Sequence, residues 1–178
     1  MGRSAGWIAL GGGLASQADA ILVPERPFSR SALLKFVAAR RETGQRGFIA
    51  VVAEGAAAEG EAVAVARVVP GSPEPVRLGG IAAQLAQWLE HETGWEARHV
   101  VLGHLQRARA PTTSDRLLCA AMGVEAAHMA MTGAFGQAVV SRRGRIERAP
   151  LSELLGGTRR IAEGHPWVSL ADALGIFV

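Results

Sequence analysis

Apolar residues along this chain alternate between short unbroken runs and stripes of helical period, so strands and helices are predicted to take turns. Between Ser4 and Ala18 the apolar positions Trp7, Ile8, Leu10 and Leu14 predict a buried helix. Within it Gly11-Gly12-Gly13 lowers intrinsic propensity while letting a neighbour approach closely. Ala20-Ile21-Leu22-Val23, ended by Pro24, has the pattern of a strand covered on both faces. Ser29 is a good N-cap for a helix with the stripe Leu33, Leu34, Val37 and Ala38, ending at Gly44. Gly47 to Ala53 predicts a second buried strand, and this strand, helix, strand order implies a parallel sheet with right-handed crossovers.

Residues 56–77 are rich in Ala, Gly, Glu and Pro and read as an inserted excursion outside the core, with an edge ribbon over Val63–Val69. Leu78-Gly79-Gly80 leads into a helix over Ile81–Thr93, with Leu85, Trp88 and Leu89 inward and Gly94 at its end. Glu96–Leu102 is the next expected strand, and its exit is where open α/β sheets place ligand loops. Asp115–Ala130 predicts two helical segments broken near Gly123, and 139–146 a hairpin turning at Arg143-Gly144. The last thirty or so residues hold only short apolar stretches and are expected to pack weakly.

Composition narrows the classes. A chain of 178 residues, 49% hydrophobic and 20% charged, suits one well-buried globular domain. Asp19, Glu25 and Arg26 interrupt the best candidate for the roughly 20-residue apolar run that spans a bilayer. With no signal-peptide pattern at the N-terminus, a soluble cytoplasmic protein is expected. The sequence pI of about 10.3 suggests nucleic acid, yet the formal charge is only +3, Lys35 is the sole lysine, and aromatic residues are too sparse for a stacking platform. Cys119, the single cysteine, excludes an internal disulfide and reads as a small core residue. His91 and His128 fall on expected helices without matching ligand partners, which argues for solvent-facing residues and against a metal site.

Candidate chemistry lies in three blocks: Met1-Gly2-Arg3-Ser4-Ala5-Gly6-Trp7, Val52-Ala53-Glu54-Gly55, and Val101-Leu102-Gly103-His104-Leu105-Gln106-Arg107. Arginine forks match phosphate oxygens, and carboxylates accept hydrogen bonds from hydroxyls. Taken alone, Glu54 is favoured as a solvated turn carboxylate and Arg98 as an exposed strand charge. In order and spacing, the blocks resemble the sugar-phosphate half of the phosphofructokinase family. The resemblance runs over nearly the whole chain, densest at 1–25, 47–55 and 78–116.

That resemblance implies an α/β fold, a three-layer sandwich with a mostly parallel sheet, here incomplete. It makes Met1, Gly2, Arg3, Glu54, Arg98, His104 and Arg107 substrate-binding residues. Glu54 would hold a fructose hydroxyl, and His104 and Arg107 would bind the 6-phosphate. Arg98 would reach the sugar phosphate of a neighbouring subunit, and Arg3 would lie near the transferring phosphoryl group. The implied reaction is phosphorylation of the 1-hydroxyl of fructose 6-phosphate, a step of glycolysis. Magnesium would hold the phosphates of a donor that is either ATP or pyrophosphate.

Two departures qualify the match. Ala108-Arg109-Ala110 stands where the family places small residues, which predicts a strained or displaced loop. The glycine-rich donor loop, the acidic metal ligand and the Thr-x-Asp-x-Asp segment with the base have no counterpart in these residues. The expectation is therefore a truncated chain that starts at an internal methionine, holds no magnesium and turns over little alone. Its partners would be fructose 6-phosphate and a donor domain or subunit, in a homo-oligomeric intact enzyme. The alternative is a non-catalytic sugar-phosphate-binding or regulatory protein.

Overall fold

The computed structural model describes residues 3–72 and 75–178. They form two compact units in place of the single domain expected from composition. One runs to Gly103 and includes Arg159–Val178; the other is His104–Thr158.

The first unit is a three-layer α/β/α arrangement. Helix α1 (Trp7–Ala15) leads to strand β1 (Ala20–Leu22), helix α2 (Arg30–Glu42) and strand β2 (Ala50–Val52). The two strands pair in parallel with Ala20 opposite Ala50 and Leu22 opposite Val52. Because side chains alternate along a strand, Ile21 joins Ala9, Leu10, Ile161, Val168, Ala171 and Ile176 on one face. Ala20 and Leu22 join Phe28, Leu33, Val37 and Leu85 on the other. Gly13 permits the tight α1 approach, since a Cβ there would collide with the Ile21 side chain. Ser29 caps α2 as expected, its hydroxyl accepting from the Ala32 amide.

The C-terminal segment corrects the expectation of weak packing. Helix α5 (Pro166–Ala173) starts at a proline whose missing N–H costs nothing there, capped by His165. Val168, Ala171 and Ile176 are buried, and Phe177 extends the sheet beside β1, accepting from the Ile21 amide at 2.7 Å.

The excursion also begins later than predicted. Ala56 and Ala58 are core residues, bound to the chain at Phe28, whose amide donates to the Ala57 carbonyl. Beyond them, strands β3 (Val65–Val68) and β4 (Val76–Leu78) make an antiparallel ribbon whose register shifts between Val65 and Arg67. Arg30 forks onto Glu61 at 2.6 and 2.8 Å and lies over the Trp88 ring. That hydrogen bond raises the Arg30 pKa and lowers that of Glu61.

Helix α3 (Ile81–Thr93) has the predicted bounds and ends on Gly94 in the left-handed region. The strand expected over Glu96–Leu102 does not form, and the segment runs as irregular chain. Ile49 and Ala53 hydrogen-bond to β1, so in a parallel ladder the backbone groups of Ala50 and Val52 face outward. A cavity of about 450 Å³ lies along that outer edge, between β2, α3 and residues 95–100. Without pairing, apolar composition alone does not make a strand: Val100, Val101 and Leu102 are left 77%, 72% and 55% exposed.

In the second unit, α4 (Thr113–Met131) is one helix continuing through Gly123, not two. A lone interior glycine costs about 1 kcal/mol, which a 19-residue helix with a Thr112/Asp115 capping box tolerates. Cys119 is exposed on it, correcting its assignment to the core. Strands β5 (Gln137–Arg142) and β6 (Arg145–Pro150) form the predicted hairpin. Arg143 and Gly144 both take positive φ, 51° and 78°, the backbone of a tight two-residue turn. Arg148 pairs with Glu125 on α4, and its guanidinium stands 3.3 Å from His128, which is otherwise exposed.

Candidate functional site

The Arg3 backbone and the turn at Glu54 and Gly55 come together at the carboxyl end of the parallel sheet. Glu54 and Gly55 form the turn after β2, and Pro24 the turn after β1. At Gly55 these come into contact with the N-terminal segment. A Cβ there would strike the Arg3 carbonyl and stand 3.5 Å from Pro24 Cβ. Only glycine lets the Arg3 backbone cross the strand ends at this height. The carboxyl ends of parallel strands are where open α/β sheets bind ligands.

The Arg3 guanidinium donates through Nη2 to the Val76 carbonyl of β4. Glu54 is half-buried and, among the described residues, has no hydrogen-bond or ion-pair partner. A half-buried carboxylate without a partner at a strand end is suited to accept hydrogen bonds from ligand hydroxyls. Met1 and Gly2, expected beside them, lie outside the described residues.

Arg98 keeps to its surface reading. It is 84% exposed and donates through Nε to Glu96 at 2.8 Å. Of the expected site residues, the 450 Å³ cavity includes only Arg98, at its rim. Its lining runs from Ala50, Val52, Leu85 and Leu89 to Glu96, Arg98 and His99, and it does not include Arg3 or Glu54.

His104 and Arg107 occupy a single 3₁₀ turn, Gly103–Arg107. With three residues per turn, positions i and i+3 eclipse, so both side chains leave from the same side. Both residues are exposed. An arginine and a histidine presented together can accompany a phosphate dianion. The loop strain expected at Ala108-Arg109-Ala110 is absent, since none of the three has positive φ.

Two contributors escaped the sequence reading. Glu25 accepts from the Gly6 amide at 3.1 and 3.0 Å and from the Ile161 amide at 3.0 Å. It thereby ties the start of α1, the exit of β1 and the C-terminal segment together. A carboxylate directly after a buried strand and its proline was the available signal. The β3–β4 ribbon is the other. Its carbonyl at Val76 contacts Arg3, a nonlocal relation with no local signature.

The phosphofructokinase family model matches residues 1–130. ATP-dependent 6-phosphofructokinase 2 of Clostridium perfringens is 40% identical over 177 residues, 99% of this chain and 48% of that protein. Pyrophosphate–fructose 6-phosphate 1-phosphotransferase of Amycolatopsis methanolica is 44% identical over 153 residues, 86% of this chain and 45% of that protein. The crystal structure of pyrophosphate-dependent phosphofructokinase from Marinobacter aquaeolei superimposes with a TM-score of 0.69 at 28% identity, covering 100% of this chain and 43% of that one. The chain spans about half the length of the curated relatives it matches.

Proposed function

Since this chain belongs to the phosphofructokinase family, we propose that it supplies the sugar-phosphate side of 6-phosphofructokinase chemistry, the conversion of fructose 6-phosphate to fructose 1,6-bisphosphate in glycolysis. The observation that carries this reading is the half-buried Glu54 carboxylate, without a partner among the described residues, in the corner crossed by the Arg3 backbone. Glu54 would accept hydrogen bonds from fructose hydroxyls. Met1, Gly2 and Arg3 would flank the sugar near the transferring group, and His104 and Arg107 would neutralise the 6-phosphate. Arg98, exposed and paired with its neighbour Glu96, is suited to reach a sugar phosphate held by another subunit of a homo-oligomer. Charged sugar phosphates do not cross membranes unaided, so the same reading places the protein in the cytoplasm. No helix among the described residues is long and apolar enough to span a bilayer.

Phosphoryl transfer is largely positioning and charge neutralisation. Relatives named for ATP and for pyrophosphate match this chain at 40% and 44% identity, which fits a half whose task is common to both donors. Magnesium would supply charge neutralisation to the donor phosphates, and it is held by oxygen ligands such as carboxylates. Among the described residues no three His, Cys, Asp or Glu side chains group together, so these residues do not fit the ion. Binding without turnover is the expected behaviour of these residues on their own.

Calorimetry with fructose 6-phosphate tests the reading. Arg107→Ala should weaken binding by about 1.5 to 3 kcal/mol, the worth of a charge-assisted contact, while Arg143→Ala, on the hairpin turn, should not. Equal effects would refute the placement. In a coupled assay with magnesium and either donor, turnover by the chain alone that disappears in Glu54→Ala would refute the division of labour. Binding that persists with no turnover when a donor-binding half is supplied would favour a regulatory protein.

A further inference from the structure

The β3–β4 ribbon has no evident work in the core. All four residues of β3 are exposed, while Ala64, just before it, is buried. Its contacts lead elsewhere. The Val76 carbonyl accepts from the Arg3 guanidinium. At the ribbon's end, Gly79 has φ 149° and donates its amide to Ala64 O at 3.1 Å. A Cβ at Gly79 would stand 3.2 Å from Ala66 Cβ and 4.0 Å from Glu54 Oε1. Gly79 therefore packs tightly against the ribbon at Ala66 and lies beside the Glu54 carboxylate. The register of the ribbon shifts at Ala66, the residue on its other side. Such irregularities re-aim a strand locally and recur beside functional sites.

We propose that the β3–β4 ribbon is the positioning element of the Arg3 and Glu54 corner, making it selective for a phosphorylated ketose over bare phosphate, with Gly79 as its positioning residue. The inference rests on the sugar-phosphate reading above. The Val76 carbonyl holds one face of the Arg3 guanidinium, so the group is ordered before ligand arrives and less conformational freedom is lost on binding. A side chain at 79 would press on Ala66 Cβ from a backbone that only glycine adopts readily, so its absence lets the ribbon keep its place beside the Glu54 carboxylate. Hydroxyl recognition depends on that geometry. Capture of a bare phosphate by the His104 and Arg107 turn does not.

The test is titration calorimetry on the full chain with two probes, fructose 6-phosphate and inorganic phosphate, with a thermal melt of every variant. Gly79→Ala should weaken fructose 6-phosphate binding by about tenfold or more, within what a misplacement of about 1 Å costs, and leave phosphate binding unchanged. Ala66→Val presses on Gly79 from the ribbon without placing a side chain at positive φ. It should give the same loss of selectivity even if Gly79→Ala fails to fold. Gly44→Ala carries the same kind of backbone penalty, φ 86° with open space around it, and should leave both affinities unchanged. If Arg3→Ala and Glu54→Ala weaken ketose binding while Gly79→Ala and Ala66→Val behave like Gly44→Ala, the ribbon has no positioning role. The inference also falls if both probes weaken together. If Arg3→Ala and Glu54→Ala are themselves without effect, the sugar-phosphate reading fails first and takes this inference with it.

Discussion

The carbonyl of Arg3 occupies the space that a side chain at Gly55 would need. Backbone against backbone, the two residues lock the N-terminal segment over the exit of β2. Gly55→Ala should therefore do more than strain a turn: it should push Arg3 away from Glu54. Overpacking of this kind costs typically about 1 to 3 kcal/mol. Unfolding in urea should show that loss, and calorimetry should show fructose 6-phosphate binding weakened beyond it. Wild-type affinity in Gly55→Ala would mean that the contact does not shape the site.

Glu25 serves two backbone amides, those of Gly6 and Ile161, from opposite ends of the chain. Glu25→Ala strips both of their acceptor. Leaving a buried donor unmade costs about 1 to 3 kcal/mol, and partial access of water at this half-buried group reduces that, so a loss of about 2 kcal/mol is expected. Glu25→Gln keeps one accepting oxygen and should lose less. Chemical denaturation ranks the three proteins, and Glu25→Ala as stable as wild type contradicts this role.

Asp115 closes the capping box of α4, and its carboxyl is held below the ordinary value mainly by the Thr112 hydroxyl and then by the Thr112 amide. A depressed folded-state pKa contributes stability above the unfolded carboxylate range, and that contribution disappears as pH falls through the folded value. Far-UV circular dichroism should show Asp115→Ala less helical than wild type at neutral pH. The difference should narrow in acid. A gap that widens as pH falls would show the opposite linkage.

Val100, Val101 and Leu102 stand exposed in the segment that rims the cavity along the open edge of β2. Unpaired edges and contiguous apolar patches recruit other chains. The isolated chain is expected to self-associate in size-exclusion chromatography with light scattering. Val100→Thr with Val101→Thr, which keeps the branched shape and removes apolar surface, should shift it toward monomer. A monodisperse wild-type monomer would refute the expectation.

What the sequence determined by itself was local. Ser29 caps α2 because its hydroxyl meets an amide three residues on, and Gly94 ends α3 because the chain must turn left-handed there. Arg143-Gly144 turns the hairpin for the same kind of reason. The motif residues His104 and Arg107 were legible as a block, and the structure adds that they share one 3₁₀ turn. Tertiary structure decided whatever depended on a partner distant in the chain. Residues 96–102 have the composition of a strand and no strand to pair with, Cys119 sits in an apolar stretch whose helix leaves it exposed, and the C-terminal residues, unremarkable by periodicity, complete the core beneath α1. Arg3 against Gly55 and Val76, and Gly79 beside Glu54, join segments separated by 25 to 73 residues. No local pattern encodes such contacts, because their energy comes from surfaces that exist only once the sheet has brought them together.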